Sequence, residues 1–462
     1  MTAKALATIA GLLLLVAPFA LPAPDGMSET AWLASGLALT MALWWVTEAL
    51  PLAATALLPL AVAPLLGLAK LDDTARAYSD PLIILFLCGF LIAKAIETSG
   101  LHMRLAGMLL RRAGTRPHRV LGAIMLCTAF LSLWISNTAS AMVVAPVAAA
   151  IAGTQSGQSR FGTALMLGVA FSATIGGMGS LIGTPPNAIF AAYVSATYDV
   201  RIGFAQWAAI GVPVAIVLLL VTWMFLAWVF PGLGTRDLSL SQDARDAPAG
   251  TAERRVAVIA GVTAVAWLSR PLIEGLMPGT PLSDTGIAVI AALALFMLPD
   301  GRDGRLLDWN TAATVRWDVL ILFGGGLALA HILQGSGLAE FVGRSVHAVS
   351  HWPQIAVLLA IAGLIVYLGE LASNTAMAAI FLPIAGVVAS ELGADPVTFL
   401  LPIALAASIG FMLPVATPPN AIVFANPAVT RRDMLLAGAP LDLIGLIVTV
   451  VGSWMLGSSL LG

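Results

Sequence analysis

The stretch LWISNTASAMVVAP (Leu133–Pro146) sets Ser136, Asn137 and Thr138 side by side inside an apolar run. LASNTAMAAIFLP (Leu371–Pro383) repeats the triplet as Ser373, Asn374 and Thr375, and in both copies a proline follows eight residues after the threonine. The surrounding chain makes this placement informative. Of 462 residues, 59% are apolar and 10% charged, whereas a soluble domain carries about 25% charged residues. Runs such as AIVLLLVTWMFLAWVF and LIGLIVTVVGSWML can cross a bilayer as helices of about 20 residues. The fold class read from this is an all-α polytopic membrane protein, placed in a bacterial inner (plasma) membrane.

The net charge of −2 and the lack of a basic, aromatic-studded patch argue against nucleic acid. Cys88 and Cys127 lie inside apolar runs and read as packing residues, not as a disulfide or zinc ligands. His347 and His351 form the one helical i,i+4 histidine pair, but without a neighbouring carboxylate they make a poor metal site. No cofactor is expected. Lys4 precedes an apolar run in Met1–Leu21, which reads as a retained first helix rather than a cleaved signal.

About 11 transmembrane helices are expected, near 5–21, 30–49, 51–69, 81–99, 161–178, 207–230, 255–272, 284–299, 317–334, 396–411 and 434–457. Two segments, 120–153 and 353–391, are too long for one crossing, and each is interrupted at its Ser-Asn-Thr. Irregular backbone at membrane depth is tolerated where it is buried in protein or lines a wet cavity. Both segments therefore read as re-entrant helical hairpins. With the N-terminus inside, Lys70, Arg76, Arg201, Arg270 and Arg344 fall outside and Lys94 within a span. The rest of the 22 basic residues are inside, as the positive-inside rule requires.

The two halves are copies. An offset of 237 aligns Ser136 with Ser373, Phe86 with Phe323, Gly89 with Gly326, Gly100-Leu101 with Gly337-Leu338 and Pro146 with Pro383. GTPPNAI (Gly183–Ile189) matches ATPPNAI (Ala416–Ile422) at an offset of 233. The span count puts the first hairpin inside and the second outside, so the repeats are inverted, a layout of secondary transporters. The expected organisation is scaffold helices over 1–80 and a first repeat core over 81–206, with inner hairpin 120–153 and unwound segment 183–187. Scaffold helices and the mixed-charge loop GTRDLSLSQDARDAPAGTAERR occupy 207–316. A second core follows over 317–433, with outer hairpin 353–391 and unwound segment 414–420, and a last transmembrane helix over 434–462.

A helix starting at each break presents free N–H groups and the positive end of its dipole, which favours an anion such as a carboxylate. The preceding helix leaves carbonyls free, and these, with Ser and Asn oxygens, suit a small hard cation. Pro185-Pro186 and Pro418-Pro419 cannot continue a helix and are expected to hold an unwound segment opposite each hairpin tip. A single Ser-Asn-Thr would read as a helix cap; two copies in register across a repeat read as a site. GGMGS and FGGGLALA read as close-packing surfaces, since no Walker lysine accompanies them.

WWVTEALPLAATALLPL (Trp44–Leu60), the two Ser-Asn-Thr motifs and the paired TPPNAI segments resemble the divalent anion/sodium symporter family, over nearly the whole chain. The resemblance implies a carrier of di- and tricarboxylates, in some members sulfate. It implies a homodimer in membrane lipid, with a transport domain moving against a scaffold like an elevator. It further implies that Ser136, Asn137, Thr138, Thr184, Pro185, Ser373, Asn374, Thr375, Thr417 and Pro418 meet the substrate. One sodium is implied near Ser132, Ser136, Asn137 and Gly183, and another near Gly369, Ala372, Asn374 and Ala416. Many members carry Thr before the glutamate preceding the second triplet. Here the order is Gly369-Glu370, which removes a side-chain oxygen and leaves the sodium number open.

Glu48 and Glu370 read as charges at membrane depth, costly unless paired or solvated. Glu48 is given a structural hydrogen-bonding role, and Glu370 lies one helical turn before Asn374. Lys94 and Glu97, i,i+3 on one helix, are expected to pair. The motifs hold no Lys or Arg, so a dianion there needs bound cations and helix ends to offset its charge. The function expected is a sodium-coupled importer of small dicarboxylates such as succinate. A sodium-independent exchanger, or a carrier for citrate or sulfate, remains open. An intramembrane enzyme would need a nucleophile–base pair that the motifs lack, and two closed hairpins argue against a channel.

Overall fold

The computed structural model describes residues 2–111, 114, 116–153, 160–230, 249–277, 279, 282–346 and 352–460. These are helical apart from their connections, with one isolated β-bridge between Pro299 and Arg305. Among them, nine helices are long and apolar enough to cross a membrane. Three expected spans are too short to be among these, and proline accounts for two of them. The 51–69 segment forms two pieces, Leu52–Thr55 and Leu58–Leu65, because Pro59 clashes with the carbonyl four residues earlier, that of Thr55. Asp284–Met297 stops at Leu298, whose helical conformation Pro299 disfavours. Pro396–Ala406 ends five residues before the expected 411, where the N–H groups of Phe411, Met412 and Leu413 bond side-chain carboxyls instead of helix carbonyls.

Both Ser-Asn-Thr segments are helical hairpins. Pro117–Ser132 and Asn137–Gly153 form the first, Gln354–Gly369 and Asn374–Glu391 the second. Gln354 Nε2 donates to Leu392 O at 3.2 Å, so the chain leaves the second hairpin at the level where it entered. The unwound segments lie earlier than expected. Non-helical residues are 179–184 and 407–417, and helices Pro185–Tyr198 and Pro418–Phe424 start on the prolines. The expected 183–187 and 414–420 extend too far at their ends, because proline suits a helix's first turn, where its missing N–H has no carbonyl to reach and its φ is already helical.

Phe161 to Met178, in the Arg160–Met178 helix, are buried without exception. The first hairpin packs on this helix and on Pro418–Phe424, while the second packs on Pro396–Ala406 and on Pro185–Tyr198. Each hairpin thus leans on the Pro-Pro helix of the other half. Phe204–Val229 and Arg431–Leu460 pack on each other and on this core. A second group joins Ala3–Ala20, Glu29–Thr47, Pro81–Thr98, Thr251–Leu276, Asp284–Met297 and Trp317–Gly335. In FGGGLALA, Gly324 abuts the Tyr78 ring and Gly325 abuts Ala56 O, which bears out the close-packing reading.

Two amphipathic arms, Leu101–Arg111 and Leu338–Val346, follow Pro81–Thr98 and Trp317–Gly335. Arg104 on the first arm forms an ion pair with Glu253, its Nη2 donating to Oε2 at 3.1 Å. Lys94 and Glu97 pair at 3.4 Å, as expected. Glu48 corrects the sequence reading: it is exposed and stands in the left-handed region, φ 47°, where Glu29–Thr47 ends. It lines a surface recess with Lys4. Cys88 and Cys127 are buried free thiols. His347, His351 and residues 231–248 of the inter-repeat loop lie outside the described residues.

Candidate substrate and cation site

At the first hairpin tip, Ser132 Oγ lies 2.7 Å from Asn137 Oδ1 and 2.6 Å from Ala173 O, and its single hydrogen serves one of the two at a time. A Cβ on Gly183 would stand 2.5 Å from Gly177 O and 3.0 Å from Ser132 O, and one on Gly177 would strike Asn137 Oδ1. The Ser132 O, Ser132 Oγ and Asn137 Oδ1 oxygens thus gather beside Gly177 and Gly183, in a space only glycine leaves open. Gly177 is a member that sequence reasoning missed. Ser136 is exposed and caps the second arm, its Oγ accepting from Ala139 N at 3.2 Å. Thr138 and Pro185 are half-buried. Thr184 is buried in extended backbone ahead of Pro185.

The second tip is related but not identical. Asn374 Nδ2 donates to Ser408 O at 3.3 Å, while its Oδ1 is buried and has no hydrogen-bond partner among the described residues. A Cβ on Gly369 would lie 3.8 Å from Asn374 Oδ1 and 4.0 Å from Ile409 O. A Cβ on Gly410 would lie 3.3 Å from Ala416 Cβ, 3.7 Å from Glu370 Oε1 and 3.7 Å from Thr417 Cγ2. Gly369, Asn374 and the break carrying Ala416 therefore share one cluster, with Ala372 buried in the hairpin turn. Ser373 and Thr375 are half-buried, Thr417 is buried with Oγ1 accepting from Asn420 N at 3.3 Å, and Pro418 is exposed. An orphaned amide oxygen beside backbone carbonyls is a donor set a small hard cation fits. The Phe171 and Phe411 rings, 4.9 Å apart, join the two clusters.

Sequence reasoning also passed over the last residue of each TPPN. Asn187 Nδ2 donates to Gly177 O (3.0 Å) and Ser180 O (2.8 Å), and Asn420 Nδ2 donates to Gly410 O (3.0 Å) and Leu413 O (2.9 Å). Both side chains are fully buried, and donor and acceptors all match at the offset of 233. Each amide straps the non-helical loop preceding its own helix: it satisfies Gly177 O or Gly410 O and adds a second bond to Ser180 O or Leu413 O, which also accept from Gly183 N and Ala416 N. The recurrence of the motif could have pointed to them, since a helix cap alone needs no asparagine at its third position.

Paired helix breaks, a repeat-matched strap in each half and clustered amide and carbonyl oxygens form a transporter-like core. The pattern of the sodium:sulfate symporter transmembrane region matches residues 2–461. The chain belongs to this family. Among the relatives of this symporter-family chain, the sodium-dependent dicarboxylate transporter SdcS of Staphylococcus saprophyticus is 34% identical, over 98% of this chain and 91% of that protein. The SdcS of Staphylococcus aureus strain USA300 is 33% identical, over 90% and 84%. In fold, the chain is similar to the crystal structure of the Alcanivorax borkumensis YdaH transporter, with a TM-score of 0.60 at 14% identity and 98% of each chain covered. It is an integral membrane protein, and in a bacterium the membrane of such a protein is the plasma membrane.

Proposed function

We propose that this protein is a sodium-coupled importer of small dicarboxylates, succinate-like C4 acids, working as a homodimer by an elevator motion. One observation carries the reading. The gathered oxygens of Asn137 and Asn374 stand at the starts of two helices, and the break segments around them hold no Lys or Arg. A dianion there has only helix ends and bound cations to offset its charge, which makes cation binding and substrate binding mutually dependent. Sodium at Ser132, Asn137 and Gly183 and at Gly369, Ala372, Asn374 and Ala416 would leave the Ser136, Thr138, Thr184, Thr375 and Thr417 groups for the carboxylates. The relatives named as sodium-dependent dicarboxylate transporters support this assignment. The moving body would be the two hairpins with the helices packed on them, Phe204–Val229 and Arg431–Leu460 included.

The test is uptake into proteoliposomes of labelled succinate, citrate and sulfate, with and without a sodium gradient. If more sodium than substrate charge enters, an inside-negative potential drives uptake by about 2.3 kcal/mol per net charge per 100 mV. Uptake of succinate that ignores both sodium and a potassium–valinomycin potential rejects the reading. It promotes the sodium-independent exchanger, the alternative that Gly369 favours by supplying no side-chain oxygen.

A further inference from the structure

Two acidic side chains from separate helices grip the second break. Glu370, where the first arm of the second hairpin ends, accepts from Met412 N at Oε1 (2.9 Å) and from Leu413 N at Oε2 (2.7 Å). Asp442, in the Arg431–Leu460 helix, accepts from Phe411 N at Oδ1 (2.9 Å), and its carboxyl reaches that of Glu370. Glu370 is 1% exposed and Asp442 0%.

The first half has no such pair. Glu370 corresponds to Leu133 at the offset of 237, and Asp442 corresponds to Ala215 when Gly211-Val212-Pro213 is set against Gly438-Ala439-Pro440. Space confirms the second match, since Gly211 abuts Met178 O and Gly438 abuts Phe411 O, residues equivalent at the offset of 233. The backbone differs accordingly. Helix continues to Met178 in the first half but ends at Ala406 in the second. The N–H groups of Phe411, Met412 and Leu413 would, in a helix, bond the carbonyls of Ala407, Ser408 and Ile409. Here they are turned to the carboxyls instead. Ser408 O is left to take the Asn374 amide, and Ile409 O faces Gly369.

We propose that Glu370 and Asp442 are a positioning pair that holds Phe411–Leu413 out of helical pairing, so that the carbonyls at 408–410 serve the second cation position. The proposal rests on the cation-coupled reading above. It explains how a site whose Gly369 has no side-chain oxygen gathers enough oxygens: Pro414 has no N–H to bond Gly410 O, and the acid pair fixes where the opened backbone points.

Conservative variants separate positioning from general damage. Glu370 uses both oxygens, so Glu370→Gln must turn an NH₂ against Met412 or Leu413 N–H. Asp442→Asn keeps an oxygen for Phe411 N–H and offers its NH₂ to Glu370. Glu370→Gln and Asp442→Ala are expected to raise the sodium concentration for half-maximal uptake about tenfold, the loss of a charge-assisted hydrogen bond. Substrate KM at saturating sodium should stay near the parent value, and Asp442→Asn should resemble the parent in both. An unchanged sodium dependence in Glu370→Gln overturns the proposal, as does an equal loss of substrate affinity at saturating sodium. Hydrogen exchange of the peptide spanning 407–417 is read in parallel on the purified variants. If the parent proves indifferent to sodium, the functional reading fails. Faster exchange in Glu370→Gln confined to that peptide still supports positioning, and unchanged exchange there overturns it.

Discussion

The rings of Phe86 and Phe323 meet edge to face, their centroids 5.4 Å apart and their planes at 78°. The two are the same position of the two repeats, so the contact marks the pseudo-two-fold relating the halves. Three residues on, Gly89 faces Ile182 and Gly326 faces Ala379. The helices of the second packing group thus touch the hairpin core at two equivalent glycines.

These seams give a test of motion. A Cβ on Gly89 would lie 3.5 Å from Ile182 Cβ, and one on Gly326 would lie 3.8 Å from Ala379 Cβ, within the range a disulfide needs. With Cys88 and Cys127 replaced by alanine, the pairs Gly89→Cys with Ile182→Cys and Gly326→Cys with Ala379→Cys should crosslink on oxidation. Uptake should stop and return on reduction. Full uptake by the crosslinked protein would rule out an elevator sliding along these seams.

Gly177→Ala should disable the first cation cluster, because the new methyl would strike Asn137 Oδ1. The expected result is a rise of tenfold or more in the sodium concentration for half-maximal uptake, about 1.4 kcal/mol or above. Gly363→Ala is the control, since its added Cβ would meet only Leu446 Cδ2 at an ordinary 3.5 Å. A Gly177→Ala protein with parental sodium dependence would remove Asn137 from that cluster.

Asn137 and Asn374 are each expected to serve a cation through oxygen and a carboxylate through the amide. Asn137→Asp keeps the oxygen that accepts from Ser132 but sets a negative charge beside the dianion, so substrate binding should weaken while sodium binding survives. Asn374→Asp should lose more, because its new carboxylate would also oppose Ser408 O. Thr138→Ala and Thr375→Ala each remove one hydroxyl bond, about 0.5–1.5 kcal/mol, and should chiefly raise the substrate constant. Calorimetric titration of each purified variant decides this, and parental dicarboxylate affinity in Asn137→Asp would defeat the shared role at that tip.

Asn187→Ala and Asn420→Ala each strand one buried carbonyl, Gly177 O or Gly410 O, at about 1–3 kcal/mol. Both should lower the unfolding temperature in detergent by several degrees and to a similar extent, as repeat equivalents should. A loss confined to one of them would show that only that strap matters for stability.

Much of this architecture is legible in the sequence, because the properties concerned are local or repeated. Apolar length gives the spans, and Ser-Asn-Thr inside a run too long for one crossing gives the hairpins. What stays hidden depends on where neighbouring helices fall. Nothing in the 71 intervening residues announces that Asp442 joins Glu370. Glu48 reads as buried because its neighbours are apolar, yet a helix end at the surface exposes it. Pro185 and Pro418 read in the sequence as helix breakers, but a breaker can equally begin the next helix. The first cluster brings Ser132, Asn137 and Gly183 together but leaves Ser136, expected with them, exposed on the hairpin tip, while Gly177, whose lack of a side chain is its contribution, has no chemical signature to read.

The crossing of the halves has a consequence for biosynthesis. The Asn137–Gly153 arm rests on Pro418–Phe424, a helix that does not exist when the arm leaves the ribosome. At roughly 5–20 residues per second, the first hairpin waits on the order of ten to fifty seconds for its neighbour. During that time its polar tip must be sheltered by water, by the insertion machinery or by temporary contacts within its own half. A nascent chain halted within 231–248 should therefore hold a first hairpin open to proteolysis, and the second half, supplied as a separate polypeptide, should close it.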